Sequence, residues 1–186
     1  MIAIIEQAHS LDEFFGARGW PACIIGGVAN LRWGQLRLTR DVDATVLAGF
    51  GDEDRFINAI LEAFRPRIAD AAAFARANRV VLAQGPGGIG LDISLGALPF
   101  EEAMIARATR AELAPGCWVT TASAEDLIVL KAFADRPQDW VDIAGIVARQ
   151  GSALDWPAIT DRLAPLATLK EAPEILSRLD RARRES

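Results

Sequence analysis

The run Arg37-Leu38-Thr39-Arg40-Asp41-Val42-Asp43-Ala44-Thr45-Val46-Leu47 constrains this chain more than any other stretch. From Asp41 onward apolar and polar residues alternate, so Val42, Ala44 and Val46 share one side of a strand while Asp41, Asp43 and Thr45 share the other. A strand of that kind needs a sheet that buries its apolar side and leaves carboxylates on the opposite face. Alternation also sets Asp41 and Asp43 about 6 to 7 Å apart along the chain. Like charges at that spacing favour a shared divalent cation.

The residues upstream read as strand, glycine pair and helix. Asp12 to Gly19 predicts a short helix, and Ala22-Cys23-Ile24-Ile25 predicts a buried strand. Gly26-Gly27 follows, and Val28, Ala29, Leu31 and Trp33 then carry a helix as far as Gly34. Unpaired amides and the helix dipole at such a start favour phosphate, and missing side chains permit close approach. Downstream, Phe56, Ile60, Leu61 and Phe64 predict a helix over Asp52 to Phe64, which Pro66 stops.

Asn78 to Gln84 and Ile89 to Leu95 predict a hairpin around Gly85-Pro86-Gly87-Gly88. Gly85, Gly87 and Gly90 also satisfy the literal dinucleotide-binding spacing, but a strand follows them where that motif requires a helix. Asp92 lies on the returning strand. If that strand pairs with the Asp41 to Leu47 strand, Asp92 adds a third carboxylate to the same face. Three carboxylates suit two magnesium ions about 3.5 to 4 Å apart, the arrangement that activates an attacking oxygen and stabilises a leaving phosphate.

The second half is predicted to be mostly helical. Ser123 with Asp126 begins one helix; Trp140, Ile143, Ala144 and Val147 mark another that ends at Gly151; Asp155 to Leu166 and Ala172 to Arg183 complete the set. Taken as residues, Lys131 suits a lysine snorkelling from an amphipathic helix, and Asp139 and Asp142 suit acids near a helix start. Arg37 and Thr39 suit strand entry with local hydrogen bonds as well as a ligand role. Arg178, Arg181, Arg183 and Arg184 suit a solvated helix end.

With 186 residues, 51% hydrophobic and 24% charged, the chain has the composition of one ordinary globular domain. A net charge of -5 excludes a bulk positive field, so any nucleic-acid contact must be local. Cys23 and Cys117 read as small core residues of a protein in a reducing compartment, and the single His9 excludes a His-rich zinc site. The opening MIAIIEQAHS is apolar but short, lacks basic residues and is interrupted by Glu6. No stretch approaches the ~20 apolar residues of a membrane helix, so the expected location is the cytoplasm.

The run IIGGVANLRWGQLRLTRDVDATV from Ile24 to Val46, with LDIS around Asp92, resembles the DNA polymerase beta-like nucleotidyltransferase superfamily. It is most similar there to the AbiEii/AbiGii-type toxin nucleotidyltransferases. Their glycine pair, alanine-containing helix, glycine, Arg-x-Thr and Asp-x-Asp are met by Gly26, Gly27, Ala29, Gly34, Arg37, Thr39, Asp41 and Asp43. EDLIVLKAFADRPQDWVDI resembles a family helical segment through Lys131, Arg136, Asp139 and Asp142. Many members carry serine after the first glycine, where this chain has Gly27.

The resemblance implies an α+β fold, with a small mixed sheet over 1–120 flanked by helices and a helical part over 121–186 packed on it. It implies transfer of a nucleoside monophosphate from an NTP to a hydroxyl, with Asp41, Asp43 and Asp92 holding two Mg2+ ions and Asp92 activating the acceptor. Gly26, Gly27, Arg37, Thr39 and Lys131 would bind the nucleotide, and Asp142 would support the site. The acceptor expected from toxin-like members is RNA or tRNA, with an antitoxin or regulator as partner. An antibiotic-modifying transferase and a non-catalytic NTP-binding or partner-binding module are the other readings the sequence allows.

Overall fold

The computed structural model describes residues 1–185. Seven strands form one mixed sheet: β1 (Ala22–Ile24), β2 (Asp41–Leu47), β3 (Arg65–Pro66), β4 (Val80–Gln84), β5 (Gly90–Gly96), β6 (Thr109–Ala114) and β7 (Cys117–Thr121), in the order β3-β4-β5-β2-β1-β7-β6. The β2–β5 and β1–β7 pairs are parallel and the remainder antiparallel. The α+β architecture expected from the sequence is the one observed.

The helices are α1 (Ile2–Gly16), α2 (Gly26–Trp33), α3 (Glu53–Ala63), α4 (Ala71–Asn78), α5 (Pro99–Arg107), α6 (Ala124–Ala134), α7 (Pro137–Gln150), α8 (Trp156–Leu169) and α9 (Glu174–Glu185). The chain divides into two compact units, one of Met1–Val28 with Leu38–Ala122 and the other of Ala29–Arg37 with Ser123–Ser186. Segment 29–37, which the sequence places with the sheet, thus belongs to the helical unit.

In the first unit, Val42, Ala44 and Val46 of β2, Leu91 and Ile93 of β5, and Val81 and Ala83 of β4 have no exposed surface. Alternation therefore buries the apolar side of β2, each large side chain contributing about 1.5 to 3 kcal/mol. Helix α1 packs on β1, β2, β6 and β7, α5 on β2, and α3 and α4 on β4. Phe14 meets Phe64 with ring centroids 5.0 Å apart, and Trp20 meets Phe56 at 4.4 Å, joining the end of α1 to α3. The turn between β4 and β5 places Gly87 and Gly88 at φ 71 and 82, which explains the glycine run as hairpin chemistry.

In the second unit the Ser123 hydroxyl accepts the Asp126 amide at 3.1 Å and caps α6. The fully buried Asp126 is met by Arg162 at 3.1 Å. Arg149 donates to the Gly34 carbonyl at 2.8 Å and Gln150 to that of Trp33 at 2.7 Å, so α7 fixes the exit from α2.

Several elements differ from the sequence reading. Helix α1 starts at Ile2, since Ile4, Ile5, Ala8, Leu11 and Phe15 form a helical apolar stripe through residues read as a plain apolar start. The β6–β7 hairpin, turning at Gly116 with φ 77, falls in a stretch to which the sequence pattern assigns no element; its edge strand β6 is half exposed and lacks a clear alternating pattern. Cys23 is buried, whereas Cys117 is only partly so. His9 is half-buried, its Nδ1 lying 2.8 Å from the Trp118 carbonyl.

Candidate active site

The parallel pairing of β2 with β5 sets Asp43 directly beside Asp92 and Asp41 beside Gly90. All three aspartates are half-buried on the face opposite Val42, Ala44 and Val46. They form an accessible acidic face on a sheet whose other side is core.

The glycine pair meets this face at close quarters. Gly26 opens α2 at φ 59, a left-handed conformation that glycine adopts without strain. The backbone amide of the preceding Ile25 donates to the Asp43 carbonyl at 2.9 Å. A Cβ at residue 26 would fall on the Asp43 carboxylate, and a Cβ at residue 27 would fall on the Thr39 hydroxyl. The space over each glycine is thus occupied by a side chain from the acidic strand or its entry. The Thr39 hydroxyl lies 3.3 Å from the Asp41 carbonyl and 3.4 Å from Asp41 Oδ1. A side chain on residue 27 would therefore collide with Thr39 unless one of the two gives way.

In the helical unit, the half-buried Arg37 joins the buried Lys131 and Asp142 in one ion cluster. Arg37 grips Asp142 with two parallel bonds, Nε to Oδ1 at 2.7 Å and Nη2 to Oδ2 at 2.9 Å. Lys131 Nζ donates to Asp142 Oδ2 at 2.5 Å and lies 3.7 Å from Asp139. Lys131 and Asp142 are almost wholly buried, at 4% and 3% exposure. Burial alone would raise the Asp142 carboxyl, but the hydrogen bonds from Arg37 and Lys131 outweigh it and hold Asp142 below the usual carboxylate range.

The predicted residues therefore fall into two groups. Gly26, Gly27, Thr39, Asp41, Asp43 and Asp92 converge on the sheet's acidic face, and Arg37, Lys131 and Asp142 converge on one another.

One residue of the first group's surroundings is absent from the sequence reading. Arg67, just after β3, donates from Nη2 to Asp92 Oδ1 at 2.5 Å. Its only sequence signal is a pair of arginines, Arg65 and Arg67, alternating around Pro66.

The donor set of the acidic face is all oxygen, the preference of a hard divalent cation such as magnesium. Among the described residues no three acidic, histidine or cysteine side chains are gathered tightly enough to hold an ion as they stand. Asp92 is turned toward Arg67 instead. The carboxylates fit a magnesium site in chemistry. A separate cavity of about 560 Å³, lined by Asp12, Phe15, Trp20, Arg110 and Thr120 among others, contains none of these residues. Its half-buried Asp12 is committed to the backbone and hydroxyl of Thr120, at 3.2 and 3.3 Å.

Known structures share this fold. The chain is similar to an antigenic nucleotidyltransferase-like protein from Paracoccidioides brasiliensis, with 16% identity, TM-score 0.58, and coverage of 95% of this chain and 92% of that one. It is similar to the antibiotic-resistance factor ANT(2'')-Ia in solution, with 18% identity, TM-score 0.56, and coverage of 91% and 94%. The crystal structure of ANT(2'')-Ia in complex with adenylyl-2''-tobramycin gives 20% identity, TM-score 0.57, and coverage of 89% and 98%. No curated protein matches the chain.

The fold is thus that of the nucleotidyltransferases. Residues 23–179 match the family model described as nucleotidyl transferase AbiEii toxin of a type IV toxin–antitoxin system, and the chain belongs to that family. It is a nucleotidyltransferase. No helix among the described residues is long and apolar enough to cross a membrane.

Proposed function

We propose that the enzyme moves a nucleoside monophosphate from an NTP to a hydroxyl of RNA, with magnesium on Asp41, Asp43 and Asp92. The observation that carries this reading is the register of β2 with β5, which sets Asp43 beside Asp92 at the glycine pair. Magnesium, when bound, supplies charge that neutralises the triphosphate and the leaving pyrophosphate. Asp92 accepts the proton of the acceptor hydroxyl as that oxygen attacks the α-phosphorus. The amides at the start of α2 and the Thr39 hydroxyl donate to phosphate oxygens.

The Arg37–Asp142–Lys131 cluster acts by positioning. Arg37 and Lys131 are both engaged with Asp142, and the family's Arg-x-Thr arginine then serves to hold the strand-entry segment in place. An RNA acceptor and an antitoxin partner are the reading supported by membership of a toxin family. A small-molecule acceptor is the second reading, supported by a fold shared, over 89% of this chain, with the antibiotic-resistance factor ANT(2'')-Ia in complex with adenylyl-2''-tobramycin.

The test incubates the enzyme and magnesium with each α-labelled NTP and with total RNA, total protein or an aminoglycoside panel. Label in RNA is the expected result. Label confined to the aminoglycosides selects the second reading, and nucleotide binding without label in any pool means a non-catalytic module.

A further inference from the structure

The acidic face has a resident cation built into the sheet. The Arg67 amide donates to the Leu82 carbonyl at 3.1 Å, continuing the β3–β4 register in which Arg65 faces Gln84 and Pro66 faces Ala83. Leu82 is in register with Asp92 on β5, and Asp92 with Asp43 on β2. Arg67, Leu82, Asp92 and Asp43 thus form one lateral row across the sheet. From the edge, Arg67 reaches past Leu82 to bond Asp92 Oδ1 at 2.5 Å.

Its guanidinium also lies over Gly90, where an added Cβ would stand 2.5 Å from Arg67 Nη1 and 3.4 Å from the Asp41 Cβ. Gly90 is the register neighbour of Asp41. The guanidinium therefore occupies ground shared by Asp41 and Asp92, and the lack of a side chain at Gly90 makes room for it. About a third of each partner stays exposed, 33% for Arg67 and 32% for Asp92, so the pair is open to exchange with solvent ions.

We propose that Arg67 is a positioning residue that holds the Asp92 carboxylate until a divalent cation arrives, and that the cation must displace Arg67 to recruit Asp92. The physical reason is charge: aspartates on adjacent strands repel one another, and a tethered guanidinium relieves the repulsion while no metal is bound. An arginine cannot deprotonate, so the exchange is driven by metal occupancy. This inference rests on the reading of the acidic face as the magnesium site.

The test uses the full chain and Mn2+ as probe, counting free ion by electron paramagnetic resonance, with and without a non-hydrolysable NTP. Arg67→Gln keeps much of the side chain's length and removes its charge. It is expected to bind Mn2+ roughly two- to tenfold more tightly than the wild type, because the competitor and its repulsion are gone. Unchanged or weaker affinity in a folded Arg67→Gln protein overturns the proposal.

A second readout needs no variant at Arg67. The Arg67 Nε–H resonance of the 15N-labelled wild type is expected to move on Mg2+ addition and to stay fixed in Asp43→Asn. A resonance that stays fixed at saturating Mg2+ in the wild type overturns the exchange. A wild type that binds no Mn2+, or an Asp43→Asn protein that binds it as well as the wild type, overturns the magnesium-site reading and the role of Arg67 with it.

Discussion

The carboxylate of Asp43 fills the space that a side chain on Gly26 would need, at a residue whose φ of 59 already favours glycine. The two constraints are separable. Gly26→Ala should lose about 1 to 2 kcal/mol through the left-handed backbone and a further 1 to 3 kcal/mol, roughly, through the collision. In an Asp43→Gly background, which removes the Cβ that would stand 2.7 Å away as well as the carboxylate, chiefly the backbone part should remain. Urea unfolding of the four proteins in this double-mutant cycle measures the difference.

The same logic gives an opposite outcome one residue on. Gly27→Ser should be destabilising in the wild type, because its side chain meets the Thr39 hydroxyl. In Thr39→Gly the space is vacated, because the Thr39 Cβ that would stand 2.7 Å away goes with the hydroxyl, and the serine should fit, supplying a hydroxyl from the helix in place of the one lost from the strand entry. The measurements are melting temperature and NTP affinity of both single variants and the double variant. A double variant no better than the worse single one would break the argument.

Asp142 predicts an acid-limb effect. Its carboxyl is held below its ordinary range, so its contribution to stability is complete above that range and is lost as pH falls through the lower folded value. Asp142→Ala leaves Lys131 and Arg37 facing a missing partner and should cost about 3 to 5 kcal/mol at neutral pH, the range for breaking a buried pair. The difference between wild type and variant should narrow toward the acid end. Unfolding free energies from neutral pH down to the acid limb test this.

Lys131→Met should behave as a stability variant. The lysine is 4% exposed and bonded to Asp142, so its removal leaves a buried carboxylate with Arg37 and Gln138 as its remaining partners. Denaturant midpoint should fall clearly, while NTP affinity of the folded fraction should change by less than about threefold, within the ordinary scatter of surface effects. A large loss of NTP affinity without loss of stability would assign Lys131 to the phosphates instead.

Much of the acidic face is legible in the sequence because strand alternation is a local rule. Asp41, Asp43 and the apolar side of β2 follow from period two alone, and the hairpin at Gly85 to Gly88 follows from turn chemistry. The register that brings Asp92 beside Asp43 is tertiary, and the sequence states it only as a condition. The contact of Asp43 with Gly26 and of Thr39 with Gly27 is steric, so the glycines read as phosphate seats when they are also clearance for side chains. Arg67 escapes notice because its partner is 25 residues away and the strand it follows is only two residues long. The bidentate Arg37–Asp142 pair spans 105 residues, and nothing local distinguishes it from a pair of solvated charges.

We propose that the paired strands carrying Asp41, Asp43 and Asp92 perform the transfer. Its most direct measurement is magnesium-dependent release of pyrophosphate and incorporation of label from α-labelled NTP into the acceptor, for wild type, Asp43→Asn and Asp92→Asn, each verified as folded. Turnover is expected in the wild type, with a loss of about a hundredfold or more in each variant, the scale of losing a group that stabilises transition-state charge. Equal turnover in the wild type and either variant would contradict it.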